Sequence, residues 1–438
     1  MRAVSLLSWR YRDPARFVAE ALGLDGARTG LYDSGGNSPQ DLLNHTGRQI
    51  QRGKLDLALL VGGEAWRTRT RARAAGADLG WPEVPEGVRP DDVFGGGLDM
   101  NDAAELAAGV RMPVQMYPMF ETALRAEAGR SLTDHQAHLG ELWSRFSAVA
   151  ATNPFAWSQV ARTAEEIRTP GPTNRMIGAP YPKLMNSNND VDMGAALIVC
   201  SVERATALGV PRDRWVFLHA GARAHEHAHV SHRESFTRTP AIELAGRTAL
   251  ELAGIGIDDV AIVDLYSCFP SAVQLGARSL GLGLDRQLTR TGGLTFGGGP
   301  WNNYVMHAIA TVVADCRRQP TERALVWANG GFCTKHAFGV YSTEPPAAGF
   351  RHEDVQATVD ALPRVEVVAD HEGPATIEGY TVIHGRDAMP ERAYAACRTA
   401  DGRRAWASTG DAAAMISMVS SEWVGAQVEL KAGELHRT

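Results

Sequence analysis

GGGPWNNYVMHAIATVVADCRRQPTERALVWANGGFCTKHAF, Gly297 to Phe338, decides how the rest of the chain is read. Gly297 to Gly299 leave the backbone free to turn, and Pro300 suits the first position of a helix. Val305, Ala308, Ile309, Val312 and Val313 then recur at helical spacing on one face. After the charged break RRQPTER comes ALVWA, a short apolar run that predicts a buried strand. Asn329-Gly330-Gly331 ends that strand, and Cys333, Lys335 and His336 follow at once. Reactive side chains on a loop beyond a buried strand, beside a glycine-fronted helix start, predict a site there.

The same order recurs near the beginning, in GGNSPQDLLNHTGRQIQRGKLDLALLVGGEAW, Gly35 to Trp66. Glycine pair, proline, helix, basic break, apolar strand and glycine pair follow one another again. Ser38 is expected to cap the helix, Pro39 to sit at its first position and Asp41 to complete a box-like cap, with Leu42, Leu43 and Ile50 facing inward. Strand-glycine-helix is common in any α/β protein, but agreement in order, lengths and glycine pairs favours duplication of one unit.

These residues resemble the thiolase superfamily. In that family two similar α/β halves face each other, and two helix N-termini meet over the acyl group of a coenzyme A thioester. Gly35-Gly36-Asn37-Ser38 stands where thiolases carry the nucleophilic cysteine turn, and Asp56-Leu57 to Gly63-Glu64 looks like the strand and Gly-x-Glu that follow it. Met193-Gly194-Ala195-Ala196-Leu197 is similar to the Asp-Gly-Ala-Ala strand. Tyr266-Ser267-Cys268-Phe269 sits at the Asn-Glu-Ala-Phe or His-Asp-Cys-Phe position. Thr291-Gly292-Gly293-Leu294 with Gly298-Gly299-Pro300 looks like the Gly-Gly-Leu and Gly-His-Pro segment. The resemblance implies a duplicated, five-layered α/β thiolase fold and a site that handles acyl-CoA.

Composition sets the outer bounds. The 438 residues are 44% hydrophobic, ample for a sizeable core, and the net charge of −6 gives no reason to expect nucleic acid. Five cysteines, Cys200, Cys268, Cys316, Cys333 and Cys397, lack paired spacing, so neither a disulfide framework nor a cysteine zinc site is expected, and a cytoplasmic location fits. No apolar run reaches membrane-spanning length, and the opening run is too short for a signal peptide.

Taken in order, Ala3 to Ser8 predicts a strand and Pro14 to Leu22 a helix ended by Gly23. A thiolase carries one more strand and helix before this point, so the start looks short by that unit. Thr68 to Ala75 reads as an Arg-rich helix and Leu79 to Met100 as a proline- and glycine-rich loop whose charges form a solvated face. From Asp102 to Pro180 the character turns helical, with Leu132 to Thr152 capped by Thr133 and packing through Leu139, Leu142, Trp143 and Phe146. By position this matches the lid that thiolases insert into their first half. Trp157 could floor an acyl chain, although ordinary core packing is the commoner role. Ala195 to Cys200 closes the first half, so its expected limits are 1–101 and 181–210, around the lid at 102–180.

The second half, 211–346, opens with the strand Trp215 to His219 and then AHEHAHVSHRE. His225, His227, His229 and His232 invite a metal reading, since alternation would set three on one strand face and imidazole suits zinc, nickel or copper. No cysteine stands among them and the only carboxylates nearby are Glu226 and Glu234, so no metal is expected. Pro240 to Ala253 predicts a helix and Ala261 to Leu265 a buried strand delivering Tyr266. From 347 to 438, alternating strands Val365 to Ala369, Ala375 to Ile383, Arg392 to Arg398 and Arg404 to Ala407, with the Asp401-Gly402 turn, predict a small barrel of the oligonucleotide/oligosaccharide-binding type. A barrel after a thiolase core is what type 1 thiolase-like proteins carry, and that subgroup is the resemblance named most closely.

The chemistry departs from the family. A working thiolase uses a cysteine nucleophile activated by histidine, a second cysteine and an oxyanion hole. Matching Ile50, Gly53 and Glu64 to the family puts Gly36 at the nucleophile, Gly299 at the histidine and Ala328 at the second cysteine. The expected catalytic set is therefore displaced: Tyr266 and His336 as an acid/base pair, His307 and Asn303 four apart on one helix face, and Cys333. Gly36, Ser38, Cys268, Gly298, Gly299, Gly330 and Gly331 are expected to line the substrate. Satisfied core packing for His307 and Cys268, and a structural hydroxyl for Ser38, are the competing readings. The expected function is acyl-CoA binding with acetyl-CoA acetyltransferase-type chemistry in lipid or fatty-acid metabolism. Retro-aldol cleavage of a 3-hydroxyacyl-CoA and non-catalytic binding are the alternatives. A coenzyme A thioester enters as substrate, no cofactor is expected to stay bound, and a homodimer is left open.

Overall fold

The computed structural model describes residues 1–24, 26–82 and 86–437; part of the proline- and glycine-rich loop expected at Leu79 to Met100 lies outside them. Apolar runs at β1 (Arg2–Val4), β2 (Gly30–Tyr32), β3 (Leu57–Ala65), β4 (Asp92–Phe94) and β7 (Asp192–Cys200) form one sheet in the order β4-β2-β1-β3-β7. Its pairings are parallel except for β3 with β7. A second sheet has the order β12-β8-β11-β10-β9, from β8 (Phe217–His225), β9 (Val260–Leu265), β10 (Arg323–Gly330), β11 (Lys335–Ser342) and β12 (Arg351–Asp354). β12 belongs to this sheet although residue 346 is the expected end of the second half.

The two repeat units are topologically equivalent. β1, β3 and β7 pair as β9, β10 and β11 do, a parallel step followed by an antiparallel one. Both repeat helices, Ser38–Gln51 and Tyr304–Arg318, pack against each other between the sheets. Pro240–Ala253 and Pro270–Leu280 cover the outer face of the second sheet, where Trp327 and Phe338 press on Gly276 and Gly246. This is the duplicated, layered α/β thiolase arrangement. One difference separates the halves. β11 is flanked by β10 and β8, whereas β7 pairs only with β3 among the described residues.

Lid helices Pro113–Glu127 and Leu132–Thr152 follow the first unit. Ser131, not Thr133, caps the longer one, because its hydroxyl is the acceptor placed to meet the Asp134 amide. β13 (Gly373–His384), β14 (Pro390–Thr399), β15 (Arg404–Thr409), β17 (Glu434–Arg437) and β16 (Gln427–Lys431) close into a five-strand barrel, β16 returning to β13. The expected strand at Val365 to Ala369 reduces to a single bridge from Val367 to Arg404, and an unexpected helix, Ala412–Ser420, precedes β16. The short strands β5 (Met176–Gly178) and β6 (Tyr181–Pro182) extend the barrel from the lid. Thr122 of the lid exchanges hydrogen bonds with the Tyr380 backbone, and Arg125 bridges to Glu422.

Candidate functional site

The two repeat helices start close together, and the first turn decides what the site can do. Ser38 is the first residue of its helix rather than its cap. Its hydroxyl donates to the Asp33 carbonyl at 2.7 Å, so it braces the turn from inside. Asp41 likewise caps nothing; it accepts from the Tyr32 hydroxyl and pairs with Arg223. Gly36, in the turn just before, has no room for a side chain. A Cβ built there falls under 3.0 Å from both the Asn329 carbonyl oxygen and the Tyr266 hydroxyl. The place expected for a thiolase nucleophile is thus occupied from the opposite half by a phenol and a peptide oxygen. Gly330 closes the same junction, since its own Cβ would meet the Gly36 amide nitrogen at 3.1 Å.

The second helix begins later than its glycines suggest. Gly293–Gly297 forms a wide turn and Trp301–Asn303 a single tight one, so the α-helix starts at Tyr304. Gly299 is not a free oxyanion donor, because its amide is spent on the Asn188 carbonyl at 2.9 Å. Asn302, which sequence reasoning passed over, does the joining: its Oδ1 accepts from the Gly35 amide at 3.0 Å and its Nδ2 donates to the Ser5 carbonyl at 3.0 Å. Lys335 adds a second tie to the same turn through the Ser34 carbonyl. An asparagine pair at a helix start was the available signal, but helical spacing to His307 drew the choice to Asn303.

Asn303 is buried with both amide atoms unpartnered, and its Oδ1 leaves room for nothing larger than Gly62 on β3. His307, one turn on, has a buried Nε2 without a partner, and burial pulls its pKa down to about 4, so the ring is neutral. Asn37 Oδ1 is a further buried, unpartnered atom beside Gly330. Tyr266 meets Tyr304 edge to face at 5.5 Å. The Tyr304 hydroxyl contacts Thr291 Oγ1 at 2.7 Å and points toward Asp264, whose burial lifts its carboxyl to about 6.

A cavity of about 670 Å³ lies alongside, lined by Trp157, Met193, Gly298, Arg290, Tyr304 and His307, among others. Gly298 adopts φ of 108°, and a Cβ there would strike Met193, so glycine is required at this wall. The cavity does not reach Gly36 or Tyr266; Tyr304 is the wall between them.

The remaining expected residues fall elsewhere. His336 does not pair with Tyr266. It stands across from Asn329 and lies against Trp327 with the rings tilted and their centroids 5.8 Å apart, on the sheet face turned to the outer helices. Burial drives its pKa well down, with Arg233 and His225 adding to the effect, and both ring nitrogens are buried without partners. Burial pushes the Cys333 thiol up to about 12, outweighing the nearby Arg233, which disfavours the thiolate that a nucleophile needs. Its amide donates to Tyr117, whose hydroxyl also takes the Asn329 Nδ2 and gives to the Gly331 carbonyl. Cys268 joins this buried cluster beside Tyr117, its thiol raised by burial. Tyr117 sits on the lid, about 150 residues from Tyr266 in sequence, and no local pattern announces it.

Comparison with known proteins bears on the family and the fold. Residues 354–434 match the thiolase-like protein type 1 additional C-terminal domain, and residues 222–298 the thiolase C-terminal domain-like family. A monomeric SCP2-thiolase like protein type 1 from Mycobacterium smegmatis is 34% identical with a TM-score of 0.84, over 100% of this chain and 89% of that one. The Ltp2-ChsH2(DUF35) aldolase is 20% identical with a TM-score of 0.58, over 78% and 86% of the two chains, and shows the fold alone. The benzoylsuccinyl-CoA thiolase subunit BbsB of Thauera aromatica is 29% identical over 152 residues, 34% of this chain and 37% of that protein's length. With both halves, the lid and the closed barrel in place, the chain belongs to the type 1 thiolase-like proteins of the thiolase superfamily.

Proposed function

We propose that this protein binds an acyl-CoA or related thioester without forming a covalent acyl-enzyme, as a thiolase-type protein of lipid or fatty-acid metabolism. The observation that carries the reading is the filled nucleophile position: the Tyr266 hydroxyl and Asn329 carbonyl exclude any side chain at Gly36. Acyl transfer of the acetyl-CoA acetyltransferase kind needs a nucleophile there, and neither Ser38 nor Cys333 substitutes, the first bonded to Asp33 and the second held as a buried thiol.

Binding is supported by what surrounds that position. The unpartnered Nε2 of His307, which lines the cavity, costs about 1–3 kcal/mol if nothing meets it, which favours a polar ligand group there. The cavity volume suits a drug-sized acyl group, with Trp157 and Met193 as apolar wall and the neutral His307 as a polar contact. The barrel order β13-β14-β15-β17-β16 is the reason to read it as the oligonucleotide/oligosaccharide-binding type, here used against the lid rather than nucleic acid. The monomeric Mycobacterium smegmatis relative favours a monomer over the homodimer left open above.

Retro-aldol cleavage of a 3-hydroxyacyl-CoA is the second reading, favoured by the Tyr266–Tyr304 pair and its link to Thr291 and Asp264. A positioned phenol can hold a proton near a developing enolate without covalent chemistry. Calorimetry with saturated, 3-hydroxy- and 3-ketoacyl-CoA, combined with assays for free CoA, ketone and aldehyde, tests both. Binding without turnover is the expected result. Aldehyde release abolished by Tyr266→Phe would establish the aldolase reading, and release of CoA with a trapped acyl-enzyme would overturn the proposal.

A further inference from the structure

The histidines that crowd after β8 play no part in the reading above. They do not alternate on one strand, because β8 ends at His225 and a tight turn, Val230–His232, follows. That turn brings His229 and His232 to Asp102, the cap of the Ala103–Ala107 lid helix. One ligating atom from each of the three lies within 4.8 Å of the others, and all three residues are partly buried.

The hydrogen bonds sort these histidines into two kinds. His225 contacts the Glu226 carbonyl through Nδ1, and His227 donates from Nε2 to the Pro363 carbonyl, so both are tied to backbone. His232 donates from Nδ1 to the Val365 carbonyl at 3.0 Å, which fixes the tautomer and leaves the Nε2 lone pair free. A carbonyl-oriented imidazole is the usual outer-shell support of a metal-binding histidine. Among the described residues the His229 side chain has a ring contact with His232 at 6.1 Å and no hydrogen bond. Asp102 spends one oxygen on the Glu105 amide and keeps the other. Around them the turn is rigid. Arg404 of the barrel donates to the carbonyls of Val230, Ser231 and Arg233, and Glu105 of the lid accepts from Ser231.

We infer that Asp102, His229 and His232 form a site for a divalent transition-metal ion of the zinc class. Two imidazoles and one carboxylate suit zinc, cobalt, nickel or iron and disfavour calcium and magnesium, which take oxygen ligands. A tetrahedral ion about 2.1 Å from each ligand needs roughly 3.4 Å between ligand atoms, so small side-chain rotations close the set and leave a fourth position for water. The bound ion ties the lid, through Asp102, to the second half, through His229 and His232. Val365, where the chain leaves for the barrel, holds the His232 ring in place.

The test uses the full chain, free of any polyhistidine tag and stripped with a chelator. Zinc is titrated by equilibrium dialysis, and cobalt(II) by its visible absorption. One equivalent of zinc, a tetrahedral cobalt spectrum and a raised melting temperature are expected. His229→Gln, His232→Gln and Asp102→Asn are each expected to weaken zinc at least about a hundredfold, the upper range for loss of supporting groups, while His227→Gln binds as wild type. Wild-type protein with and without metal supplies a melting comparison independent of how the variants fold. No stoichiometric binding, binding that survives both His229→Gln and His232→Gln, or magnesium bound as tightly as zinc overturns the assignment.

Discussion

Gly36→Ala tests the claim on which the functional reading stands. Gly36 does not occupy the left-handed region, so on backbone grounds alone alanine stabilises by about 0.4–1 kcal/mol through the unfolded chain. Against that, the new methyl falls under 3.0 Å from the Asn329 carbonyl oxygen and the Tyr266 hydroxyl. The carbonyl belongs to the last turn of a buried strand and cannot yield cheaply, and overpacking of this kind costs about 1–3 kcal/mol. Overpacking wins, and Gly36→Ala is expected to lose about 1–2 kcal/mol net in urea unfolding followed by tryptophan fluorescence. A double-mutant cycle sharpens the point. Tyr266→Phe removes one of the three atoms that crowd the methyl and leaves the ring carbon at 2.8 Å and the Asn329 oxygen in place, so the pair is expected to couple by about 0.5–1 kcal/mol in the direction of partial relief. A cost unchanged in the Tyr266→Phe background would assign the obstruction to the Asn329 carbonyl and the ring rather than to the hydroxyl. If Gly36→Ala is as stable as wild type, the position is open and a nucleophile would fit there. Gly36→Cys then ought to acquire a covalent acyl group from acyl-CoA, which mass spectrometry would detect.

His307 and Cys333 give the remaining predictions. The folded state holds His307 at about 4, below its ordinary 6.5, so the fold prefers the neutral ring. Its contribution is intact above pH 6.5 and is lost as pH falls toward 4, by about 3 kcal/mol at about 1.4 kcal/mol per pH unit. His307→Gln is expected to flatten that part of the stability profile, and an unchanged slope would show that the ring is solvated. Iodoacetamide on native protein is expected to label Cys200, the partly exposed thiol, and to spare Cys268 and Cys333 until unfolding. Rapid native labelling of Cys333 would place it in an accessible, activated setting and reopen its candidacy as nucleophile.

How much of this was legible depended on how local the cause was. The two repeat units read directly because glycine turns, helical apolar spacing and short apolar runs are written within thirty to forty residues, whereas the matching of Gly36, Gly299 and Ala328 to catalytic positions came from the resemblance to thiolases. Tyr266 at the junction was also legible, being delivered by a buried strand. Face and partner were not. His336 and Ala337 differ only in which side of β11 they take, and that side is set by register against β10, which puts His336 opposite Asn329 and away from the repeat helices. Ser38 has a cap's sequence, yet the turn bends its hydroxyl back to Asp33. The histidine run misled because alternation presumes a strand, and β8 stops at its first member.

One difference between the halves lies beside the cavity. In the second half the antiparallel strand β11 is covered on its free edge by β8, while in the first half its counterpart β7 has no such neighbour among the described residues. Ile198 on β7 is accordingly 76% exposed, high for a β-branched residue on a strand of a core sheet. The cavity lies against the first residues of this same strand, Asp192 to Ala196, and is completed by Trp157 of the lid and by one face of the second repeat helix from Tyr304 to Arg318. Its position therefore follows from the uncovered edge rather than from the junction of the two helix starts. A ligand entering there meets Met193, Gly298 and His307 first, and reaches Tyr266 only past Tyr304. Blocking the cavity separates entry from junction: Ala195→Trp is expected to abolish acyl-CoA binding in calorimetry, because Ala195 lines the cavity, and to lose about 1–3 kcal/mol by overpacking, because Ala195 also packs against the core. Full binding in that variant would mean that the thioester enters by another route and that the uncovered edge of β7 serves no ligand.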